Sequence, residues 1–344
     1  MIYMDNDYTH GAHPSIFERL IQTNDEATTG YGTDRFTENA IKMIQKAIGR
    51  EDIAVHLLTG GTQTNIVAIA SSLRPFHGVI TADSGHINNL EAGAIEAIGH
   101  RMLTIPSEDG KIYADEVKTL ADEYWNNKSN FHKIQPGMVY ISNPTETGTI
   151  YSKQELTDLR EVCDENSMVL FMDGARLGYG LVAETNELTL ADITELCDIY
   201  YIGGTKIGAM FGEALIISNE HLQHGVKTVI KQKGGLLAKG RALGVQFEVL
   251  FENDLYLELS QHAVDQAMRL KQAFLDKGIS LRYEAYTNQL FPILQNKQLE
   301  ELEKTYGMLK QEVVGDDHQV VRICTSWATD AKIIDQFIKD IQAL

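Results

Sequence analysis

Between about residues 35 and 245, short apolar runs alternate with longer amphipathic stretches. The short runs are rich in β-branched and aromatic side chains and end in small or polar residues, as buried strands do. The predicted strands are AVHLLTG, GVITAD, RMLTIP, GMVYISN, MVLFMDG, CDIYYIG and GEALIIS. Because helical stretches separate them, the pattern predicts an α/β fold with a mainly parallel sheet.

Helices are predicted where apolar residues recur three and four positions apart. In TENAIKMIQKAIG this spacing is followed by Gly49, a stop signal. The stretch KQELTDLREVCDEN opens after Ser152 with Glu155 three residues on, which predicts a capping box. A long helix, broken or bent, is expected from about 246 to 277.

The pattern changes after this helix. Strands are predicted near LRYEA, QLFPIL and VVRICTSW, followed by a final helix, DAKIIDQFIKDIQAL. We therefore expect two domains: a large one at 1–245 that includes the N-terminal segment, and a small α+β domain at 246–344.

Composition narrows the class of protein. The chain has 344 residues, 43% of them hydrophobic, which is enough for two sizeable cores. A net charge of −18 argues against binding to nucleic acid or anionic membranes. No apolar run has the length of a membrane span, and the N-terminus MIYMDNDYTHG lacks the features of a signal peptide.

The cysteines and histidines suggest neither a disulfide framework nor a metal site. Cys163, Cys197 and Cys324 are widely spaced and fit reduced thiols in a cytoplasmic protein. No histidine lies in an HExxH or similar ligand spacing, so no catalytic metal is expected. A structural cation held by loop carboxylates remains open.

Candidate chemistry centres on Lys206, which follows the strand-like run in CDIYYIGGTKIG. Desolvation at the edge of a packed sheet lowers the pKa of a lysine and frees its amine as a nucleophile. Upstream, SMVLFMDGARLG places Asp173 and Arg176 at the tip of another strand. This combination predicts pyridoxal 5'-phosphate chemistry. Lys206 would hold the aldehyde, Asp173 the ring nitrogen and Arg176 a substrate carboxylate.

A phosphate site is predicted in LTGGTQTN, where a strand leads through glycines into an apolar helix. Glycines let backbone N–H groups approach an anion, and the helix N-terminus adds partial positive charge. Gly61, Thr62 and Gln63 are the predicted contacts. The segment is neither GxGxxG nor a Walker motif, so nucleotide binding has little support.

Further candidates lie in three other segments. His86, in GHINNLEAG, can stack on a flat cofactor, while in NPTETGT Asn143 can offer its amide to a ring oxygen and Glu146 can act as a base. Arg322 lies within the apolar run VVRICTSW and needs an anionic partner. A substrate carboxylate and an internal salt bridge are both open. The basic stretch KTVIKQKGGLLAKGRALG either completes a phosphate site, in a neighbouring subunit, or is a solvated loop.

An ordered set of segments along nearly the whole chain resembles the threonine aldolase family. This family lies within the β-eliminating lyase and threonine aldolase group of fold-type I pyridoxal-phosphate enzymes. The segments are NDYTHGAHPSI, GYGTD, GGTQTN, GHINNLEAG, NPTETGT, MDGARL, GGTKIG and RICTSWAT. The resemblance implies a fold-type I large domain with Lys206 as the Schiff-base lysine, Asp173 as the partner of the ring nitrogen and His86 as the stacking residue.

The resemblance also assigns cofactor and substrate contacts. For the cofactor they are Gly61, Thr62, His86, Asn143, Asp173, Arg176, Thr205 and Lys206. For the substrate they are Asn6, Tyr31, Arg176 and Arg322, with Tyr31 at the active-site mouth. Two positions differ from common bacterial members: Glu146 stands in a loop where they have histidine, and Thr205 precedes the lysine where serine is usual.

The resemblance implies cleavage of a β-hydroxy-α-amino acid to glycine and an aldehyde. Lys206, His86 and Glu146 are the expected catalytic residues, and the base for the hydroxyl proton is His86, Glu146 or a water held by either. One alternative is β-elimination from an aromatic or sulfur amino acid. Another is a pyridoxal-phosphate-binding protein without turnover. A homodimer or homotetramer with shared active sites is also implied.

Overall fold

The computed structural model describes residues 1–344. The strands are β1 (Ile2–Tyr3), β2 (Ala54–Leu58), β3 (His77–Ala82), β4 (Met102–Ile105), β5 (Gln135–Ser142), β6 (Val169–Asp173), β7 (Ile199–Gly203), β8 (Glu213–Ile217), β9 (Gln289–Leu290), β10 (Ile293–Gln295), β11 (Tyr306–Gly307), β12 (Leu309–Val314) and β13 (His318–Cys324). The α-helices are α1 (Pro14–Gln22), α2 (Arg35–Ile48), α3 (Gly61–Ser72), α4 (His86–Asn89), α5 (Ala94–Ala97), α6 (Ala114–Trp125), α7 (Lys153–Glu165), α8 (Leu177–Leu181), α9 (Leu190–Leu196), α10 (Val226–Gln232), α11 (Arg241–Phe251), α12 (Leu255–Asp276), α13 (Asn296–Leu302) and α14 (Ala331–Ala343).

The predicted strands of the first half form one central sheet in the order β2-β8-β7-β6-β5-β3-β4. The pairs β3–β4, β3–β5, β5–β6 and β6–β7 are parallel, whereas β8 runs antiparallel to both of its neighbours. The predicted α/β fold with a mainly parallel sheet is confirmed. Because parallel strands end at the same edge, the loops after β3, β5, β6 and β7 meet there, where such folds bind ligands.

The helix ends follow the local sequence signals. The Asp34 carboxylate accepts the N–H of Thr37 at 2.9 Å and caps α2, which ends at Gly49 in the left-handed region at φ 84°. The predicted capping box opens α7. The expected long helix is broken into α11 and α12, because Asn253 and Asp254 adopt positive φ between them.

The C-terminal part contains a smaller antiparallel sheet in which β13 pairs with β9, β10 and β12. The predicted strand LRYEA is wrong, since only Leu281 forms a bridge, to Pro292, and the Tyr283 ring packs edge-on against Phe291. QLFPIL is split into β9 and β10 at Pro292, which lacks an N–H to donate. The mostly exposed strand β12 has no apolar alternation, so its sequence did not predict it.

The N-terminal segment joins the smaller sheet region. β1 pairs in parallel with β11, and Met4 belongs to the apolar core formed mainly by residues 267–341. A larger core packs against one face of the central sheet and includes Leu259 and Val264 of α12, and a third core covers the opposite face. The larger core and the core of the smaller sheet therefore meet along α12, while the domain boundary at residue 245 stays a prediction. No helix combines the length and apolar character needed to cross a membrane.

Candidate active site

Lys206 lies in the turn after β7, at the edge where the parallel strands end. Its backbone carbonyl accepts a hydrogen bond from the Tyr179 hydroxyl at 2.5 Å, which anchors the turn. Burial and the charge of Arg176 lower the pKa of the Lys206 amine, although Asp7, Asp173 and Glu213 act in the opposite direction. The predicted nucleophile therefore has the environment that favours a neutral amine.

Asp173 ends β6 and receives several hydrogen bonds. The Tyr140 hydroxyl donates to Oδ2, the Tyr201 hydroxyl donates to Oδ1 at 2.5 Å, and the Asn65 amide lies 3.3 Å from Oδ2. Burial alone would raise the pKa of Asp173, but the charge of His86 and the hydrogen bonds from the two tyrosines lower it. The carboxylate therefore stays ionised in a buried position and suits a positively charged ring nitrogen.

His86 is the first residue of α4, and its ring is held from one side by a buried carboxylate. Nδ1 lies 2.8 Å from Oε1 of Glu91, which also accepts the Asn65 amide at 2.7 Å. Burial alone would lower the pKa of His86, but the hydrogen bond with Glu91 and the charge of Asp173 raise it. Glu91 lies in the loop between α4 and α5. It fixes the imidazole orientation.

The Glu146 side chain is hydrogen-bonded to the backbone of His86. Its Oε1 accepts the Ser142 hydroxyl at 2.6 Å and the His86 N–H at 3.0 Å. Burial and the charge of Asp173 raise the pKa of Glu146, while the Ser142 hydrogen bond and the charge of His86 act against them. The structure therefore places the Glu146 carboxylate on the backbone N–H of His86, so the two candidate bases lie at the same strand edge.

The predicted phosphate turn opens α3 after Gly60, without a side-chain cap. The Gln63 oxygen accepts the Thr59 N–H and hydroxyl at 3.2 and 2.8 Å, and its amide donates to the Lys233 carbonyl at 3.2 Å. The side chain of Gln63 therefore braces the turn. A Cβ at Gly61 would lie 3.2 Å from the Tyr201 hydroxyl, which favours glycine at the helix start. The N-terminus of α3, with Gly61 and Thr62, remains suited to an anion.

Thr205 and Asn143 use part of their hydrogen-bonding capacity within the chain. The Thr205 hydroxyl donates to Glu213 at 2.7 Å and accepts the Gly212 N–H at 3.0 Å. The Asn143 side-chain oxygen accepts the Tyr151 N–H at 3.1 Å. Their roles as cofactor contacts stay predictions. For Asn143, the side-chain amide nitrogen is the group that would donate to the cofactor.

Arg176 forms a two-point ion pair with Asp7 at the edge of the site. Nε lies 2.6 Å from Oδ2 and an Nη lies 3.0 Å from Oδ1, while Asn288 donates to the same carboxylate at 2.9 Å. Burial alone would raise the pKa of Asp7, but the charges of Arg176 and Lys206 lower it to about 2. Asp7 therefore already neutralises the guanidinium predicted to hold a substrate carboxylate.

Arg322 is in a different state. One Nη donates to the carbonyl of Asp5 at 2.9 Å, and its Nε is buried without a hydrogen-bond partner. The charges of Asp7, Arg322, Arg176 and Lys206 all influence the pKa of the Cys324 thiol, two residues after Arg322. Arg322 is thus a cation in the group of charges around Cys324, and no carboxylate of the chain forms an ion pair with it.

The two remaining predicted substrate residues lie in different places. The Asn6 side-chain oxygen accepts the Tyr8 N–H and the Thr9 hydroxyl, both at 3.0 Å, in the turn next to the Arg176 ion pair. Tyr31 is half-exposed at φ 60° with the Lys231 amine 4.6 Å from its ring centroid. It lines a separate pocket of about 210 Å³ with residues of α2, β2 and α10. The structure does not bring it to Lys206 of its own chain.

Sequence reasoning missed two carboxylates of this site. Asp7 follows the predicted Asn6, and Glu213 opens the otherwise apolar run EALII. A charged residue at a buried strand position is a signal that Glu213 needs a partner. No cluster of three or more His, Cys, Asp or Glu side chains is arranged to hold a metal ion.

The cluster fits pyridoxal phosphate in the chemistry of its donors and acceptors. It offers an amine of lowered pKa, a buried ionised carboxylate and an uncapped helix N-terminus, which match an aldehyde, a ring nitrogen and a phosphate. In addition, Asn65 Oδ1 and Glu91 Oε2 are buried without hydrogen-bond partners beside His86 and Asp173.

Comparison with known proteins places this site in context. The model of the Beta-eliminating lyase family matches residues 8–297. A threonine aldolase structure from Leishmania major is 43% identical with a TM-score of 0.97, covering 100% of this chain and 99% of that one. The low specificity L-threonine aldolase of Pseudomonas sp. (strain NCIMB 10558) is 29% identical, with 98% of this chain and 96% of that protein covered. Histidinol-phosphate aminotransferase of Clostridium acetobutylicum shares the fold, with a TM-score of 0.74 at 15% identity, over 100% of this chain and 98% of that one.

Proposed function

The chain belongs to the Beta-eliminating lyase family, and on this premise we propose that it cleaves β-hydroxy-α-amino acids of the threonine and allo-threonine type to glycine and an aldehyde. It is a pyridoxal-phosphate-dependent lyase. The threonine aldolases of Leishmania major and Pseudomonas support this choice of substrate, since both align over nearly the full chain.

Each residue at the strand edge is proposed to bind a different part of the cofactor. Lys206 would hold its aldehyde, Asp173 its ring nitrogen, Gly61 and Thr62 its phosphate, and His86 would lie along the ring. When bound, pyridoxal phosphate supplies an electron-withdrawing ring that accepts the electrons of the broken Cα–Cβ bond. Asp173 stays ionised in its buried position, so it favours the charged form of that ring.

Arg322 is the group we assign to the substrate carboxylate. Its buried Nε has no partner within the chain, and a guanidinium can bind a carboxylate at two points. Such binding fixes the orientation of the substrate and hence which bond at Cα breaks. Arg176, already paired with Asp7, would instead hold the N-terminal segment that carries Asn6 against the site.

The placement of Glu146 favours carbon–carbon cleavage over β-elimination. Cleavage needs a base for the β-hydroxyl proton, whereas expulsion of a phenol or thiol does not. Burial raises the pKa of Glu146, so its ionised form binds a proton more strongly. The pKa of His86 is also raised, which favours its charged form. We therefore assign the hydroxyl proton to Glu146, directly or through a water.

Product analysis with threonine, allo-threonine, tyrosine and cysteine tests the reaction. Glycine and acetaldehyde from the two threonines are the expected products. Pyruvate and ammonia from tyrosine or cysteine would instead establish β-elimination. Absence of any product from a preparation that contains bound cofactor would indicate a binding protein without turnover.

Substitution of Glu146→Gln tests the base. Threonine cleavage should fall by about 10²- to 10⁴-fold, the usual contribution of a general base. Exchange of the glycine α-hydrogen in D₂O, followed by NMR, needs no β-hydroxyl base and should persist. The exposed Glu165→Gln substitution on α7 is the matched control. Equal losses of cleavage and exchange would contradict the assignment.

We also propose that the chain forms a homodimer or homotetramer in which neighbouring subunits share active sites. We further propose that the protein is located in the cytoplasm. Tyr31 lies against Lys231 and away from Lys206 of its own chain, which suits a residue that reaches a neighbour's site. The three cysteines are buried and unpaired, as is common for proteins of a reducing compartment. Mixing Lys206→Ala subunits with Tyr31→Ala subunits should restore activity if the two residues meet across an interface.

A further inference from the structure

The Glu213 carboxylate lies directly beside the turn that carries Lys206. Glu213 opens β8 opposite Gly203, the last residue of β7. Its Oε2 accepts the Gly204 N–H at 3.0 Å, and its Oε1 accepts the Thr205 hydroxyl at 2.7 Å. One side chain therefore fixes both residues that precede the lysine.

The turn leaves little room for another arrangement. The N–H groups of Gly204 and Thr205 also donate to the Gly212 carbonyl, at 2.9 and 3.1 Å. A Cβ at Gly204 would lie 2.8 Å from that carbonyl oxygen and 2.9 Å from the Phe247 ring. Glu213 thus holds a closely packed turn by accepting hydrogen bonds from Gly204 and Thr205. A change in the Glu213 side chain should therefore shift the position of Lys206.

Glu213 is 4% exposed and forms no direct ion pair, so its charge is only weakly screened by its buried surroundings. Burial raises the pKa of Glu213 to about 7, against the Thr205 hydrogen bond and the charge of Lys206. In turn, the charge of Glu213 raises the pKa of Lys206, against burial and Arg176. The two groups therefore titrate as a linked pair.

Other ionisable groups facing this pair come from several elements. They are Asp7 of the N-terminal segment, His86 of α4, Asp173 of β6, Arg176 before α8, Tyr201 of β7, Tyr256 of α12 and Cys324 of β13, whose thiol stays neutral because burial raises its pKa to about 12. Burial raises the pKa of both tyrosines, so they stay neutral. The pKa values of Asp7 and Asp173 are lowered, so both stay ionised. Glu213 is thus the carboxylate facing Lys206 whose charge changes near neutral pH.

We propose that Glu213 is a positioning residue for Lys206: it holds the Gly-Gly-Thr turn, and its charge controls how readily the amine loses its proton before bonding to the cofactor aldehyde. This rests on the proposed function only in taking pyridoxal phosphate as the cofactor. It does not depend on which amino acid is cleaved.

The test measures capture of pyridoxal phosphate by the full-length chain after its cofactor has been removed. Capture is followed by visible absorption and by borohydride trapping between pH 6 and 9. The variants are Glu213→Gln, which removes the charge, and Glu213→Asp, which keeps the charge but shortens the reach. Glu248→Gln is the matched control, because Glu248 is a buried carboxylate on α11 beside Arg19.

The glutamine variant should capture the cofactor about three- to tenfold faster than the unsubstituted chain at pH 8, because more of the Lys206 amine is neutral. The ratio should approach one at pH 6, where the Glu213 carboxyl of the unsubstituted chain is largely protonated and therefore uncharged, like the glutamine. The aspartate variant should keep the original pH dependence with weaker cofactor affinity. The Glu248 control should follow the unsubstituted chain at every pH.

A glutamine variant with an unchanged pH dependence would overturn the proposal, even if its cofactor affinity falls at every pH, because that is the result of a structural role alone. If that variant does not fold, as judged by circular dichroism, the aspartate variant decides. Weaker affinity with the original pH dependence supports the proposal, and unchanged affinity overturns it. Failure to form glycine and aldehyde would refute the proposed cleavage reaction but would leave cofactor capture measurable.

Discussion

Replacing Asp7 by Asn tests whether Arg176 is committed to an internal ion pair or available to the substrate. The substitution keeps the shape of the side chain and an acceptor for Asn288, but it removes the charge that lies 2.6 Å from Arg176. The Asp7 side chain is fully buried and that of Arg176 is 11% exposed, so water cannot replace the lost partner effectively.

The size of the effect follows from the pKa of Asp7. Lowering it from 3.8 to about 2 corresponds to about 2.5 kcal/mol of stability at neutral pH, since one pKa unit is worth about 1.36 kcal/mol. Loss of one partner from a buried ion pair typically costs about 3 to 5 kcal/mol. We therefore expect Asp7→Asn to lower the free energy of unfolding by about 2 to 4 kcal/mol.

The sign of the pH dependence is also fixed. Because the folded-state pKa of Asp7 is below its unfolded value, the contribution is present above about pH 4 and is lost as the pH falls toward 2. Urea unfolding of the full-length chain between pH 7 and 3 measures both effects. Asp7→Asn should be less stable at pH 7, and the gap should narrow as the pH falls.

The control is Glu165→Gln, which removes an exposed carboxylate on α7 and should change stability little. A double-mutant cycle with Arg176→Met isolates the energy of the pair from other effects of each substitution. Equal unfolding free energies for Asp7→Asn and the unsubstituted chain at pH 7 would refute the reasoning. Arg176 would then be free to bind a substrate carboxylate.

Three further predictions concern the site itself. Lys206→Ala should abolish covalent attachment of pyridoxal phosphate; borohydride reduction and peptide mapping check this, and a label on another lysine would contradict it. Arg322→Gln should raise KM for threonine about ten- to a hundredfold, the value of a hydrogen bond to a charged group; an unchanged KM would remove Arg322 from the substrate site. Glu91→Gln should lower the pKa of His86, because the hydrogen bond that raises it is weakened; NMR titration of the imidazole measures the change, and an unaltered titration would show that Glu91 does not control His86.

Local patterns predicted the central-sheet strands because each strand has its own apolar run and terminating residues. The same holds for the start of α7 and the end of α2, where Ser152 and Gly49 act within one turn of the chain. Patterns failed where the structure depends on distant partners. LRYEA has the composition of a strand but forms only one bridge, and β12 is held by pairing with β13 although it is mostly exposed and its apolar residues do not alternate with polar ones.

The sequence by itself determined which chemical groups follow the strands, including Lys206, Asp173 and Glu146, since strand ends and turns are local features. Only the tertiary structure decided which distant groups pair: Arg176 with Asp7, 169 residues away, Asn65 with Asp173, 108 residues away, and Glu146 with the N–H of His86, 60 residues away. These pairings depend on the order of strands in the sheet and on burial, because a charge is stabilised by whichever partner the fold brings within reach. The sequence thus supplied the candidates, and the fold distinguished the paired Arg176 from the unpaired Arg322.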